Sequence, residues 1–115
     1  MDESVIDLAV YAELTDTAGA EFVAELVNTF LEEAPGMLAE LRGARAENHA
    51  ERFRRAAHSL KSNGNTFGAL KLAALARELE LKGLDADPAR DAATLDAVEA
   101  AYARAATALK GLRHG

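Results

Sequence analysis

The sequence has no cysteine and no tryptophan, only two prolines in 115 residues, and few aromatics. Without cysteine, neither disulfides nor thiolate metal sites can contribute, and nothing demands an oxidising compartment. Long hydrophobic runs are missing too: no window approaches the ~18 to 20 apolar residues of a membrane span. The acidic start MDESVIDL lacks the basic region and apolar core of a signal peptide. A soluble cytoplasmic protein is expected. Positive charge is also short: the formal net charge of -6 argues against a nucleic-acid binder, whose affinity comes largely from neutralising phosphates. What the chain does have is an apolar half rich in alanine, a composition that favours closely packed helices over sheets.

The length suits one small domain, residues 1–115, with one core. A short helix is predicted around Ser4 to Leu14, followed by Thr15-Asp16-Thr17 as caps for a long second helix. In that helix Phe22, Val23, Leu26, Val27, Phe30 and Leu31 fall at helical spacing, and Met37, Leu38 and Leu41 continue the pattern beyond Pro35, which should kink or restart the helix. Asn48 and Glu51 stand in capping-box relation, so a third helix should start there and run to about Gly64 or Asn65. The FGAL segment opens a fourth, ending near Lys82 with Gly83 as a left-handed cap. Asp87-Pro88 is a strong start for a fifth, with Leu95, Val98, Tyr102, Ala105, Leu109 and Leu112 as its seam. Short loops between long helices imply antiparallel neighbours. The expected fold is therefore all-α, an antiparallel up-down four-helix bundle with a short extra N-terminal helix laid across it.

Charge is uneven along this chain. Arg52, Arg54, Arg55 and Lys61 stand against Glu51 alone between His49 and Ser62. At about 100° per residue, Phe53, Ala57, Leu60 and Gly64 share the core face of the third helix, and His58 lies on its polar face with cations one turn away. An exposed neutral imidazole is a nucleophile toward phosphorus, and nearby cations would stabilise the phosphoryl group in transit. Ser62, Asn63 and Gly64 keep the adjoining surface low enough for another protein's active site to approach, and Gly68 lets the next helix begin tightly packed. His49 and His114 lack metal-ligand spacing, and no histidine has a glutamate three residues before it, so no intrinsic metal or cofactor site is expected.

The run from His58 to Ala69, HSLKSNGNTFGA, resembles the signature of histidine-containing phosphotransfer (HPt) domains. That signature is His, any residue, Leu, Lys, a small residue, then an apolar residue and Gly about ten positions on. The likeness extends to Phe30-Leu31-Glu32-Glu33-Ala34-Pro35, to Arg55-Ala56-Ala57 and to Leu79-Glu80. The resemblance implies a phosphorelay intermediate in which His58 takes a phosphoryl group from an aspartate of one receiver domain and gives it to an aspartate of another. It also implies that Lys61 assists phosphate electrostatically and that Glu80 stands where the family carries a Gln or Glu bonded to the active histidine. Ser62 departs from the glycine usual at that position. Mg²⁺ would come with the receiver, the partners would be receiver domains of response regulators or a hybrid kinase, and the carrier would be a monomer.

Arg54 would share the phosphate field or simply be solvated, and Asn65 would touch the phosphate or end the helix. Leu70, Leu81 and Leu84 lie off the core face of the fourth helix, there either to meet the first helix or the chain ends, or to form an apolar patch for a receiver. No glycine-rich nucleotide loop is present, so the chain should not be an enzyme by itself. Two alternatives remain: a catalytically silent docking bundle that binds a kinase or receiver, and the phospho-accepting domain of a chemotaxis-type kinase.

Overall fold

A computed structural model describes residues 5–113 as five helices: α1 (Leu8–Ala18), α2 (Ala20–Ala46), α3 (Ala50–Phe67), α4 (Leu70–Lys82) and α5 (Pro88–Leu112). Helices α2 to α5 form the bundle, and α1 lies against α2 and α3. No helix among the described residues is long and apolar enough to cross a membrane.

Helix ends follow local chemistry, and several differ from expectation. Ser4, where the first helix was expected to start, lies outside the described residues. Among those described, α1 begins at Leu8, where Asp7 caps it with its Oδ1 accepting from the amides of Ala9 and Val10; such a cap contributes about 1 kcal/mol. Thr15-Asp16-Thr17 continues α1 instead of capping α2, and the Thr15 hydroxyl donates to the Tyr11 carbonyl. The break falls at Gly19, whose φ of 93° suits a residue without a Cβ. Helix α2 does not restart at Pro35, which sits exposed inside one continuous helix.

The expected Asn48–Glu51 capping box does not form either. Asn48 takes a positive φ of 58°, which Asn tolerates, and helps to close the end of α2, its amide donating to the Arg45 carbonyl. The cap of α3 is His49, whose Nδ1 accepts the Arg52 amide at 3.3 Å. Helix α3 then runs past Asn65 to Phe67 and stops at Gly68, which is left-handed at φ 81° and ψ 15°. Gly68 therefore ends α3 rather than easing the start of α4. Its carbonyl also accepts the Asp7 amide at 2.8 Å, tying the start of α1 to the α3–α4 turn. Gly83 has positive φ but an extended ψ of -156°, not the left-handed helical cap. Asp87 and Pro88 start α5 as expected, with Asp87 accepting the Ala89 amide.

The core is one cluster. Val23, Val27, Phe30, Leu41, Phe53, Leu60, Leu72, Leu95, Val98 and Leu109 are buried in it, whereas Phe22, in the first turn of α2, is exposed. Phe30 stacks on Phe67 at 5.5 Å between ring centroids and meets Tyr102 edge-on at 5.7 Å. Side-chain pairing makes the neighbours antiparallel. Asn28, Arg42 and Arg45 of α2 meet Arg113, Glu99 and Asp91 respectively, so rising numbers in one helix face falling numbers at α5. Arg42 grips Glu99 with both Nε and Nη2, at 2.9 and 3.0 Å, the two-pronged geometry that makes guanidinium–carboxylate pairs directional. The buried Asp91 accepts from Arg45 at 2.8 Å and from the Asp85 amide at 2.9 Å, which pins the α4–α5 loop to α2.

Gly68→Ala should lower the urea midpoint with an unchanged m-value. A left-handed non-glycine residue costs about 1–2 kcal/mol, and an added Cβ would lie 2.8 Å from the Asp7 carbonyl oxygen. Gly83→Ala, with nothing within 4 Å of its added Cβ, should lose only the separate cost of holding alanine at φ 70° and ψ -156°, a region that glycine almost alone adopts.

Candidate functional site

His58 is held by α3, whose register is set by burial of Phe53, Ala57, Leu60 and Gly64 on the opposite face. Its side chain is 54% exposed. Its Nδ1 lies 2.7 Å from Glu80 Oε2, a bond that reaches from α3 to α4. Glu80 Oε1 faces Lys61 Nζ at 2.8 Å. This oxygen is shut off from solvent, and the Lys61 ammonium is the partner that compensates it. One carboxylate thus bridges two residues one turn apart on the neighbouring helix. The Lys61 ammonium first, and the bond from His58 second, hold the Glu80 carboxyl below its ordinary value of 4.5.

Glu80 is only 14% exposed, whereas the imidazole it touches stands in solvent. With an ionised carboxylate as acceptor, Nδ1 carries the hydrogen, and Nε2 is left with its lone pair on the far side of the ring. Chemically the arrangement is an exposed nucleophile with an anionic support behind it. No group of three or more His, Asp or Glu side chains that could hold a metal ion occurs among the described residues.

The remaining expected residues are spread around this centre. Arg54 is paired with Glu51 at 2.8 Å and is not bonded to the imidazole. Ser62 and Asn65 are exposed on the same face of α3 as His58. Gly64, expected to keep the surface open, is buried against α4: an added Cβ would lie 3.1 Å from Ala73 Cβ and from Ala73 N. It serves helix packing. Gly68 lies ten residues along α3 under the start of α1, away from the imidazole. Of the apolar trio, Leu70 and Leu81 are exposed, and Leu84 packs against the core.

Sequence inspection missed how completely the basic island is matched. Arg52 binds Glu40 through Nε at 2.7 Å and Nη2 at 3.0 Å and also meets Glu47, while Arg54 takes Glu51 and Lys61 takes Glu80. The three-residue spacing of Glu51 and Arg54 carried that signal, but Glu40 and Glu80 come from other helices. Arg55 was not among the expected site residues. Its nearest carboxylate, Glu51, is 3.8 Å away.

The Hpt domain family model matches residues 25–111, and the chain belongs to that family. Among solved structures it is similar to the crystal structure of histidine-containing phosphotransfer protein B (HptB) from Pseudomonas aeruginosa PAO1. The two share 25% sequence identity with a TM-score of 0.83, covering 98% of this chain and 97% of that one. Comparison with curated protein sequences finds no match.

The lowered carboxyl of Glu80 fixes a pH dependence. A group whose folded value lies below its unfolded value adds stability above the unfolded value and loses it as pH falls through the folded one. Wild type should therefore be more stable than Glu80→Gln at neutral pH, with the gap closing below the carboxylate range. Urea unfolding of both proteins at the two conditions measures this.

Proposed function

We propose that the protein is a phosphocarrier of a two-component phosphorelay, with His58 Nε2 as the acceptor and donor of the phosphoryl group. The observation that supports this best is the exposed imidazole whose Nδ1 is bonded to a sheltered carboxylate, 2.7 Å away, in a member of the Hpt family. Hpt domains dock receiver and kinase domains; here the partner would be a receiver domain, which brings its aspartate and its Mg²⁺.

In the forward step the Nε2 lone pair attacks phosphorus of the receiver's aspartyl phosphate. The N–P bond forms as the P–O bond to the aspartate breaks, and the aspartate leaves as carboxylate. Nδ1 keeps its hydrogen throughout, and the positive charge that the ring gains is balanced by Glu80. Passing the group to a second receiver reverses these changes, with no net oxidation or proton loss. Lys61 keeps Glu80 ionised and in place, so its contribution runs through the carboxylate as well as through its own charge. The chain supplies no nucleotide site in this scheme. It transfers and does not hydrolyse, as a cytoplasmic monomer whose α3 face stays open to its partners.

Incubation with a phosphorylated receiver and Mg²⁺ should place acid-labile, base-stable phosphate on the wild type and none on His58→Gln. The variant should keep its helical content, since an exposed helix position costs little stability. Lack of label from each of several receivers would overturn the carrier role in favour of a silent docking bundle. Lys61→Ala should transfer about tenfold more slowly, the effect of about 1.4 kcal/mol at the barrier, without abolishing transfer; an unchanged rate in a stopped-flow assay would reduce Lys61 to surface charge.

A further inference from the structure

One orienting contact decides on which side of His58 a phosphoryl group must sit. Nδ1 is turned toward Glu80 of α4, so Nε2 opens on the side of the ring away from α4. At about 100° per residue, Lys61 lies about 60° from His58 toward α4, whereas Ser62 lies about 40° and Arg55 about 60° the other way. Contacts agree with this division. Lys61 pairs with Glu80 of α4. Arg55 and Ser59 instead line a groove between α2 and α3, with Glu33, Met37 and Glu40 on its far wall.

The availability of charge points the same way. Arg52, Arg54 and Lys61 each hold a carboxylate at hydrogen-bond distance. Arg55 is 66% exposed, and the Glu51 oxygen 3.8 Å from it is the one that Arg54 already holds at 2.8 Å. Glu40 is held through both oxygens by Arg52, and Arg55 adds only a weaker, longer-range attraction to it. Ser62 also has an uncommitted donor. Its carbonyl accepts the Thr66 hydroxyl, but its own hydroxyl is in no hydrogen bond among the described residues. Residues three before and four after His58 are its helix-surface neighbours, about 5–6 Å away between Cβ atoms.

We infer that the phosphoryl group on His58 Nε2 is received by the Arg55 guanidinium and the Ser62 hydroxyl, while Lys61 serves the opposite, Glu80 side of the ring. The inference rests on the carrier role proposed for His58. A guanidinium presents paired N–H donors that match phosphoryl oxygens, and a serine O–H adds a third donor from the next turn. Ser62 then does more than leave room for a partner.

Phosphoramidate tests the assignment without a receiver: its P–N bond breaks, ammonia leaves, and the new N–P bond forms at Nε2. Labelling rate, phosphohistidine lifetime and the labelled ring nitrogen, read by ³¹P and ¹⁵N spectroscopy, would be compared in wild type, Arg55→Ala, Arg55→Lys, Ser62→Ala and Lys61→Ala. Arg55→Ala should label about tenfold more slowly, and Ser62→Ala about threefold, with melting curves unchanged and partial recovery in Arg55→Lys. Labelling of Arg55→Ala at the wild-type rate would overturn the assignment, as would phosphate on Nδ1. So would a loss confined to Lys61→Ala. If Arg55→Ala does not fold, Arg55→Lys takes its place: labelling slower than wild type supports the assignment, and a wild-type rate overturns the guanidinium's part in it. A wild type that stays unlabelled by phosphoramidate and by receivers alike would instead overturn the carrier role, and this assignment with it.

Discussion

Helices α3 and α4 approach so closely at Gly64 that a Cβ there would stand 3.1 Å from the Cβ and amide nitrogen of Ala73. Ordinary side chains cannot occupy that crossing without moving a backbone. The contact fixes both the separation and the register of the pair. Because the helices are antiparallel, moving back along α3 from Gly64 to Lys61 and His58 corresponds to moving forward along α4 from Ala73 to Glu80. A glycine buried on the opposite face of α3 from the imidazole thereby decides which α4 side chain meets it.

Everything polar at the site is organised by what that register delivers. A single carboxylate, mostly sheltered, serves an ammonium and an imidazole through different oxygens. A buried charge is tolerable only when compensated, and Lys61 compensates it. The imidazole is anchored from behind while its outer edge stays in solvent. Rigid support and open access, which usually conflict, are separated here by assigning them to opposite sides of one ring.

Much of this was legible in the sequence because it depends on periodicity. The outward placement of His58 followed from Phe53, Ala57, Leu60 and Gly64 filling the other face of α3, and Asp87-Pro88 marked its helix start through local chemistry alone. The approach of Glu80 to His58 was expected through family resemblance. What was not legible was competition between equally good local signals. Thr15, Asp16 and Thr17 are sound cap residues, but Thr15 could satisfy its hydroxyl within α1, and Gly19 offered an easier break. Asn48 could cap or turn left-handed, and closing α2 required the turn, leaving the cap to His49. Gly64 was placed on the core face by periodicity and also expected to keep the surface beside His58 open; its close contact with Ala73 of α4, which decides for packing, depended on tertiary register. The ion pairs across helices depended on tertiary register and had no local signature.

The pairing of the α3 cations also bears on how a partner would find this surface. Lysine and arginine side chains that already hold carboxylates form short-range dipoles, whose field dies away much faster than that of free charges. Despite its basic composition, this face projects little positive potential beyond one loosely held guanidinium. Encounter would then proceed at the ordinary orientation-limited pace rather than by electrostatic capture, with only a weak dependence on ionic strength. Discrimination between correct and incorrect partners would then fall to the contacts made after collision.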